Sequence, residues 1–387
     1  MSNAYTESEE RQELRKAVAR LAGGYGRAYF TEKARTGGRT TDLWLDIARH
    51  GFLGINVPEE YGGGGGGIGD VAAVCEELAA QGCPLLLMVV SPAICGTILV
   101  RYGSEEQKRR WLPGICDGTG TMAFAITEPD AGTNTHDITT HARRDGDGWV
   151  LNGRKIYISG VDEADNVLVV ARAEDAKTGK LKPCLFVVPT NAEGFEAKSI
   201  PMEIVSPELQ FTVFLDDVRL SNDAIVGDED GGLVQLFAGL NPERIMAASF
   251  STGLARFALD RAVQYAKERE VFQGPIGGHQ AIAHPLAQTH IEVELARLMT
   301  QKAAALYDAG DDMAAGEAAN MAKYAAAEAA CDAADRAVQT HGGNGITQEY
   351  GMAGLLVATR AGRIAPVSRE MILNFVSMHS LGLPKSY

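Results

Sequence analysis

The sequence predicts an α+β fold in three parts: an N-terminal helical domain (1–121), a central antiparallel, β-barrel-like domain (122–231) and a C-terminal four-helix bundle (232–387). Three observations carry this reading. Polar and apolar residues mix at helical spacing over the first part, short runs of β-formers replace them in the second, and helical spacing returns with dense alanine in the third. At 387 residues the chain also exceeds the size at which a single core stops growing, so two or three subdomains are expected.

In order, Glu7 to Leu21, Asp42 to Ala48, Val71 to Ala80 and Ala93 to Tyr102 are helix candidates. The run Gly62 to Gly67 lacks the Lys-Ser or Lys-Thr that closes a phosphate loop, and its backbone freedom reads as a mobile surface loop. Gly23, Gly24 and Gly26 sit in a helical context with no preceding strand, which excludes a dinucleotide fingerprint. In the middle, Asn152-Gly153 between apolar runs is a hairpin signal, and Asp145 to Gly148 gives a second turn just upstream. Val167–Ala171, Leu185–Val188 and Phe211–Leu215 are short strands with no helical pattern between them, which favours antiparallel pairing. Further on, Leu254, Ala258, Ala262 and Tyr265 share one helical face, as do Ile291, Leu295 and Leu298. Ala314 to Ala337 combines high helix propensity with side chains small enough for close packing.

A net charge of −14 argues against a nucleic-acid partner, although a few local cations suffice for a small anionic ligand. Met1 to Glu10 lacks the basic start and apolar core of a signal peptide, and no run is long enough to span a bilayer. Cys75, Cys83, Cys95, Cys116, Cys184 and Cys331 are scattered without a C-x-x-C pair, as expected of reduced thiols in a cytoplasmic protein. His279, His284 and His290 lack H-E-x-x-H spacing, so no metal site is expected.

The segment Met122 to Asn134 runs from apolar residues into Thr127-Glu128-Pro129 and a turn on Asp130-Ala131-Gly132. The residue before a proline is pushed to extended geometry, so Glu128 ends a strand. Such a tip presents hydroxyls and backbone N–H groups to a flat, hydrogen-bonding ligand, while an ordinary strand-to-loop junction explains the same residues equally well. Three more segments break the tie: Gly153-Arg-Lys-Ile-Tyr-Ile-Ser159, Arg269-Glu-Val-Phe272 followed by His279-Gln280, and Gln339-Thr-His-Gly-Gly-Asn-Gly345. With Met122 to Asn134, in this order and spacing, the chain resembles the acyl-CoA dehydrogenase family over nearly its whole length.

The resemblance implies FAD held by the β domain and by helices of two subunits in a homotetramer built as a dimer of dimers. Phe124, Ile126 and Thr127 match the strand against the flavin ring, and Thr133 matches a usual Ser that also meets substrate. Tyr157 and Ser159 stand where Trp and Thr are common, keeping an aromatic face and a hydroxyl. Arg269 matches a residue that meets the pyrophosphate from the neighbouring subunit, a role suited to a guanidinium. Phe272, Gln280, Gln339, Gly343 and Ser368 complete the cofactor set. Read alone, Arg269 is a solvated helix end and Gly342-Gly343 a helix C-cap.

The family reaction is α,β-desaturation of an acyl-CoA thioester, in which a carboxylate removes the α-proton and flavin N5 takes the β-hydride. Most members carry that Glu shortly after the Gly-Gly-Asn-Gly segment. Here the ungapped register puts Pro366 on it and a one-residue shift puts Ala365, so neither supplies a base. Proline also lacks the N–H that would donate to the thioester oxygen. A minority, including the isovaleryl-CoA and long-chain enzymes, places the Glu on another helix, at the position of Glu243. Asn241 as N-cap, Pro242 as first helical residue and Glu243 as first-turn acid would explain the same residues structurally. Glu243 is taken as the base because the chemistry needs a carboxylate, with Arg244 a neighbouring cation that shapes the substrate site. The resemblance further implies an electron-transfer flavoprotein as acceptor. An oxidase or monooxygenase of the same fold, or a flavoprotein without catalysis, is the alternative. Small residues at Ser91, Ala93 and Gly96 hint at room for a longer or branched acyl group.

Overall fold

The computed structural model describes residues 7–174, 179–229 and 231–385. Seven helices come first: α1 (Glu9–Gly23), α2 (Gly26–Thr36), α3 (Thr41–Arg49), α4 (Ile68–Ala80), the short α5 (Leu86–Met88), α6 (Thr97–Tyr102) and α7 (Glu105–Asp117). Ser8 caps α1 by accepting from the Arg11 N–H, and Ser104 with Gln107 forms a capping box on α7. A π-helical stretch, Val89–Gly96, joins α5 to α6 and is buried throughout.

The β domain holds β1 (Met122–Ala125), β2 (His141–Asp145), β3 (Gly148–Ser159), β4 (Asn166–Glu174), β5 (Leu181–Pro189), β6 (Phe195–Ile200), β7 (Gln210–Leu220) and β8 (Ile225–Val226). Their order is β6-β7-β3-β2-β4-β5-β8, with β1 on β4. The sheet is largely antiparallel, but β1 and β2 both run parallel to β4. The chain leaves β1, makes the β2–β3 hairpin and returns through Asp165, whose N–H bonds Thr121 O at 3.1 Å and sets the parallel start.

The hairpin turn falls at Asp145–Gly148, whereas Asn152-Gly153 lies inside β3, at a register shift against β7. Asn152 exchanges two 2.9 Å hydrogen bonds with Asp217, and a Cβ on Gly153 would come within 2.7 Å of Thr140 Cα. The Asn-Gly pair therefore builds a bulge and a close approach instead of a turn. The glycine run also differs from expectation. Gly64, Gly65 and Gly66 donate to the carbonyls of Gly54, Val57 and Ile55, and a Cβ on Gly63 would sit 2.0 Å from Val57 O. These glycines let the loop pack flat on its neighbours, so it is tied down.

The bundle consists of α8 (Gly232–Glu268), α9 (Gln280–Asp308), α10 (Asp312–His341), the short α11 (Gly343–Ile346), α12 (Ala353–Ile364) and α13 (Arg369–Phe375). A two-strand ribbon of β9 (Glu270–Val271) and β10 (Gly274–Pro275) links α8 to α9. Alanines of α10 fill the seam, among them Ala319, Ala322, Ala326, Ala330 and Ala334, all fully buried. The predicted Ile291–Leu295–Leu298 face of α9 is about half or more exposed, an apolar stripe uncovered within one chain. Buried Glu76 and Glu77 of α4 bind Arg15 of α1, Arg256 of α8 and, through Glu76, Arg297 of α9 at 2.7–2.9 Å. This charge network locks the N-terminal helices onto the bundle. Among the described residues no helix is long and apolar enough to cross a membrane.

Candidate active site

The expected site residues fall into three groups. The first lies where β1 runs into Ile126, Thr127 and Glu128. Glu128 is buried, and its carboxylate accepts from Lys155 Nζ (2.8 Å), from the Thr139 N–H (2.6 Å) and hydroxyl (2.8 Å) and from the Thr140 N–H (2.9 Å). Burial raises its pKa, but these donors outweigh burial and hold it at about 2. Lys155, fully buried on β3, also donates to Ile126 O at 2.9 Å, and the Ile156 N–H donates to Thr127 O at 2.9 Å. A buried ion pair thus clamps the end of β1 onto β3.

Two residues past Lys155, Tyr157 sits at φ +58 within a register shift of β3, its ring 57% exposed. A bulky strand residue at positive φ is strained, and such strain gathers at functional sites. It turns the ring outward beside Thr127, as a flat ligand would require. Ser159 follows half-buried, its hydroxyl hydrogen-bonded to the Gln210 side chain. Thr133 is exposed in the turn beyond Glu128. The Phe124 ring is buried in the main core, so only backbone is left there for a ligand.

The second group surrounds Glu243. Helix α8 begins at Gly232 and runs through Pro242, so Asn241, Pro242 and Glu243 are mid-helix and the capping explanation fails. The Asn241 side chain instead donates to Asp312 O at 3.1 Å and accepts from Arg244. Burial raises Glu243 to about 7, against the opposing pull of Arg244 and Lys323. Burial also lowers Arg244, against the attraction of Glu243, and Arg244 Nε is buried without a hydrogen-bond partner. Cys95, in the π-helical stretch, is pushed well above its ordinary pKa by burial and then by Glu243, and its thiol donates to Ala123 O of β1 at 3.5 Å. The Glu243 region of α8 is thereby linked through Cys95 to β1. Ser91 is spent on the same junction, its hydroxyl accepting from the Met122 N–H. This polar use and the complete burial of Ala93 assign these small residues to packing rather than to pocket room.

Lys323 of α10 was not singled out by sequence. It is almost fully buried and donates to Val367 O, in the turn holding Ala365 and Pro366 between α12 and α13. It thereby brings that turn to the Glu243 group. Ser368 is the N-cap of α13, accepting from the Met371 N–H, and Glu370 is its exposed first-turn acid. A lysine amid dense alanine was the available signal. None of these residues lines the cleft of about 430 Å³ between Gly65–Gly67, Arg101 and Tyr307.

The third group occupies the other end of the bundle. Arg269 follows α8, is exposed and has no ion pair among the described residues; Phe272, at φ +63, is 96% exposed. Gln280, Gln339 and Gly343 are also exposed, at the start of α9, the end of α10 and the start of α11, and Asn344 of α11 donates to the Tyr265 hydroxyl near the end of α8 at 3.1 Å. Gly342 is the C-cap of α10, as its structural reading held. At the 1.5 Å rise of a helix, Glu243 and Arg269 lie about 39 Å apart on α8.

As donors, hydroxyls and an outward aromatic ring at one place fit a flat ring system, and a guanidinium with no ion-pair partner elsewhere fits a pyrophosphate. Comparison with known proteins gives the family. The family models of the acyl-CoA dehydrogenase N-terminal, middle and C-terminal domains match residues 8–119, 123–213 and 230–381. The chain is 64% identical over 384 residues to acyl-CoA dehydrogenase FadE12 of Mycobacterium tuberculosis, covering 99% of both. Its structure resembles glutaryl-CoA dehydrogenase in a glutaryl-CoA complex (TM-score 0.93, 30% identity, 99% of this chain and 98% of that one). It also resembles a Mycobacterium smegmatis glutaryl-CoA dehydrogenase bound to FADH2 (TM-score 0.89, 26% identity, 98% and 96%).

Proposed function

The chain belongs to the acyl-CoA dehydrogenase family and is an FAD-dependent acyl-CoA dehydrogenase, and on that premise we propose that Glu243 is the base that removes the α-proton of the thioester. The observation that carries it is the setting of Glu243 inside α8, half-buried with Arg244 and Lys323 as the cations facing it, where burial pushes its carboxyl up to about 7. A carboxylate used as a base works best when its pKa approaches the working pH. Arg244 and Lys323 hold compensating charge around it, and Thr133 and Arg244 meet the substrate. Bound FAD supplies the hydride acceptor. Ile126, Thr127, Tyr157 and Ser159 orient the flavin ring, with Phe124 contributing backbone and the Lys155–Glu128 clamp fixing the loop.

Arg269, Phe272, Gln280, Gln339 and Gly343 serve the cofactor of a neighbouring subunit. Two facts support this: the ~39 Å between Glu243 and Arg269 on one helix, and the uncovered apolar stripe of α9. The assembly is a homotetramer built as a dimer of dimers, with an electron-transfer flavoprotein as acceptor. Cys75, Cys83, Cys95, Cys116 and Cys331, buried and outside any disulfide, support a reducing compartment such as the cytoplasm.

The test is an anaerobic titration of the holoprotein with acyl-CoAs of different length and branching, following the visible flavin band. Bleaching by one class, abolished in Glu243→Gln, is the expected result. Bleaching that persists in Glu243→Gln would remove Glu243 as base. Pro366 favours one rival, a flavoprotein that binds thioesters without turning them over, and a spectral shift without bleaching for every thioester would establish it. Rapid reoxidation of the reduced protein by oxygen would instead mark an oxidase or monooxygenase.

A further inference from the structure

We propose that Lys323 is a positioning residue of this site: its ammonium ties the turn containing Ala365, Pro366 and Val367 to the bundle and sets the electrostatic field at Glu243. The inference rests on the reading of Glu243 as base and deepens it.

Three observations carry it. Lys323 is 1% exposed, and an ammonium buried to that degree needs compensation. Its hydrogen bond goes to Val367 O, a backbone group across the seam between α10 and the turn before α13. The charged groups facing it come from each surrounding element: Glu243 and Arg244 from α8, Glu328 from α10 itself and Glu370 from α13. Glu328 is engaged by Arg363 of α12, at 2.9 Å, and by Arg369 of α13, at 3.6 Å, and Glu370 is exposed. Glu243 has no such ion pair among the described residues: the groups facing it are Arg244, Lys323 and the Cys95 thiol. Lys323 is therefore a cation bonded to the turn whose charge also acts on Glu243.

That double attachment matters because of Pro366. Pro366 offers no N–H to a ligand, so what the turn presents depends on its remaining backbone groups and on its shape. Lys323 fixes both through Val367 O. Meanwhile its positive charge offsets the burial that otherwise drives Glu243 toward the protonated form. Burial, followed by Arg244, brings Lys323 itself down to about 8. The ammonium is thus present at neutral pH and lost as pH rises through about 8.

Two substitutions separate tether from field. Lys323→Met removes both, and Lys323→Gln keeps a donor for Val367 O without charge. The primary readout is the carboxyl stretching band of Glu243, identified by its loss in Glu243→Gln and titrated by infrared difference spectroscopy on the FAD-loaded protein. In both variants its midpoint should move up by about one pH unit or more, and Lys323→Arg should restore it. The acid limb of thioester-dependent bleaching should move with it. An unmoved midpoint in Lys323→Gln with FAD retained would overturn the proposal, as would a shift that Lys323→Arg fails to reverse. If Lys323→Met fails to load FAD, the Gln and Arg variants still decide. The infrared midpoint requires no turnover, so absence of bleaching in wild type would count against the base assignment and leave the Lys323 measurement readable.

Discussion

Glu243 lies within α8 and Arg269 just past its end, yet the first is half-buried among charges while the second is exposed with no ion pair among the described residues. The Glu243 end is closed by this chain's own parts: Arg244, Lys323, Cys95 and the turn at Pro366. The Arg269 end shows a cation without an ion pair among the described residues, a phenylalanine almost entirely in solvent and a strained turn, with Gln280, Gln339 and Gly343 exposed as well. On the proposed reading, a single chain holds the proton-transfer chemistry but only part of the cofactor site. The missing part is what a second copy, docked along the apolar stripe of α9, would supply.

The largest expected effect lies at the closed end. Glu243→Gln should lower the rate of flavin bleaching by about 10²–10⁴-fold, the usual contribution of a positioned base, with thioester binding retained in a spectral-shift assay. Next comes the network beneath that end. Replacing Glu76 by Gln leaves Arg15, Arg256 and Arg297 short of a shared buried carboxylate. It should destabilise the fold by about 3–5 kcal/mol, read as a lowered denaturant midpoint of the holoprotein.

The open end should behave differently. Arg269→Ala should leave thermal stability of the apoprotein unchanged and weaken FAD retention by about 10–150-fold, the worth of a charged hydrogen bond to phosphate. Mixing it with Glu243→Gln sharpens the comparison. If each cofactor takes Arg269 from one subunit and Glu243 from the other, co-assembled mixtures at limiting FAD regain activity that neither variant has alone. If both residues served one site of one chain, no mixed assembly would recover.

Which parts of this were legible in sequence follows from physical range. Spacing and β-former runs are local, so the order helices, sheet, helices could be read directly, and the motif segments pointed to the family that the comparisons show. Asn152-Gly153 misled because a bulge and a hairpin turn use the same residues; only Thr140 packing against Gly153 distinguishes them. Pro242 misled because proline suits a first helical turn, while here the helix runs through it and tertiary packing overrides propensity. Lys323 stayed hidden because its meaning depends on Val367, a residue 44 positions away, and on a helix that joins it only in three dimensions.

The smallest expected effect tests the closed end through stability. A carboxyl raised to about 7 in the folded chain, against 4.5 for the unfolded value, binds more protons folded than unfolded between those pH values. Its contribution is therefore fully present below about 4.5 and is lost as pH rises through 7. Above pH 7 the folded chain carries a carboxylate that burial disfavours, and the neutral amide of Glu243→Gln does not. That variant should melt a few degrees higher than wild type at pH 8, for a gain of about 1–3 kcal/mol, and the difference should vanish near pH 4.5. The same interval governs catalysis with the opposite sign. Below pH 7 the base is progressively protonated, so kcat/KM of the wild type should fall about tenfold per pH unit. A residue that activates with rising pH while destabilising over the same range is a buried base whose fold bears the strain of its function. A surface carboxylate at Glu243 would show neither slope.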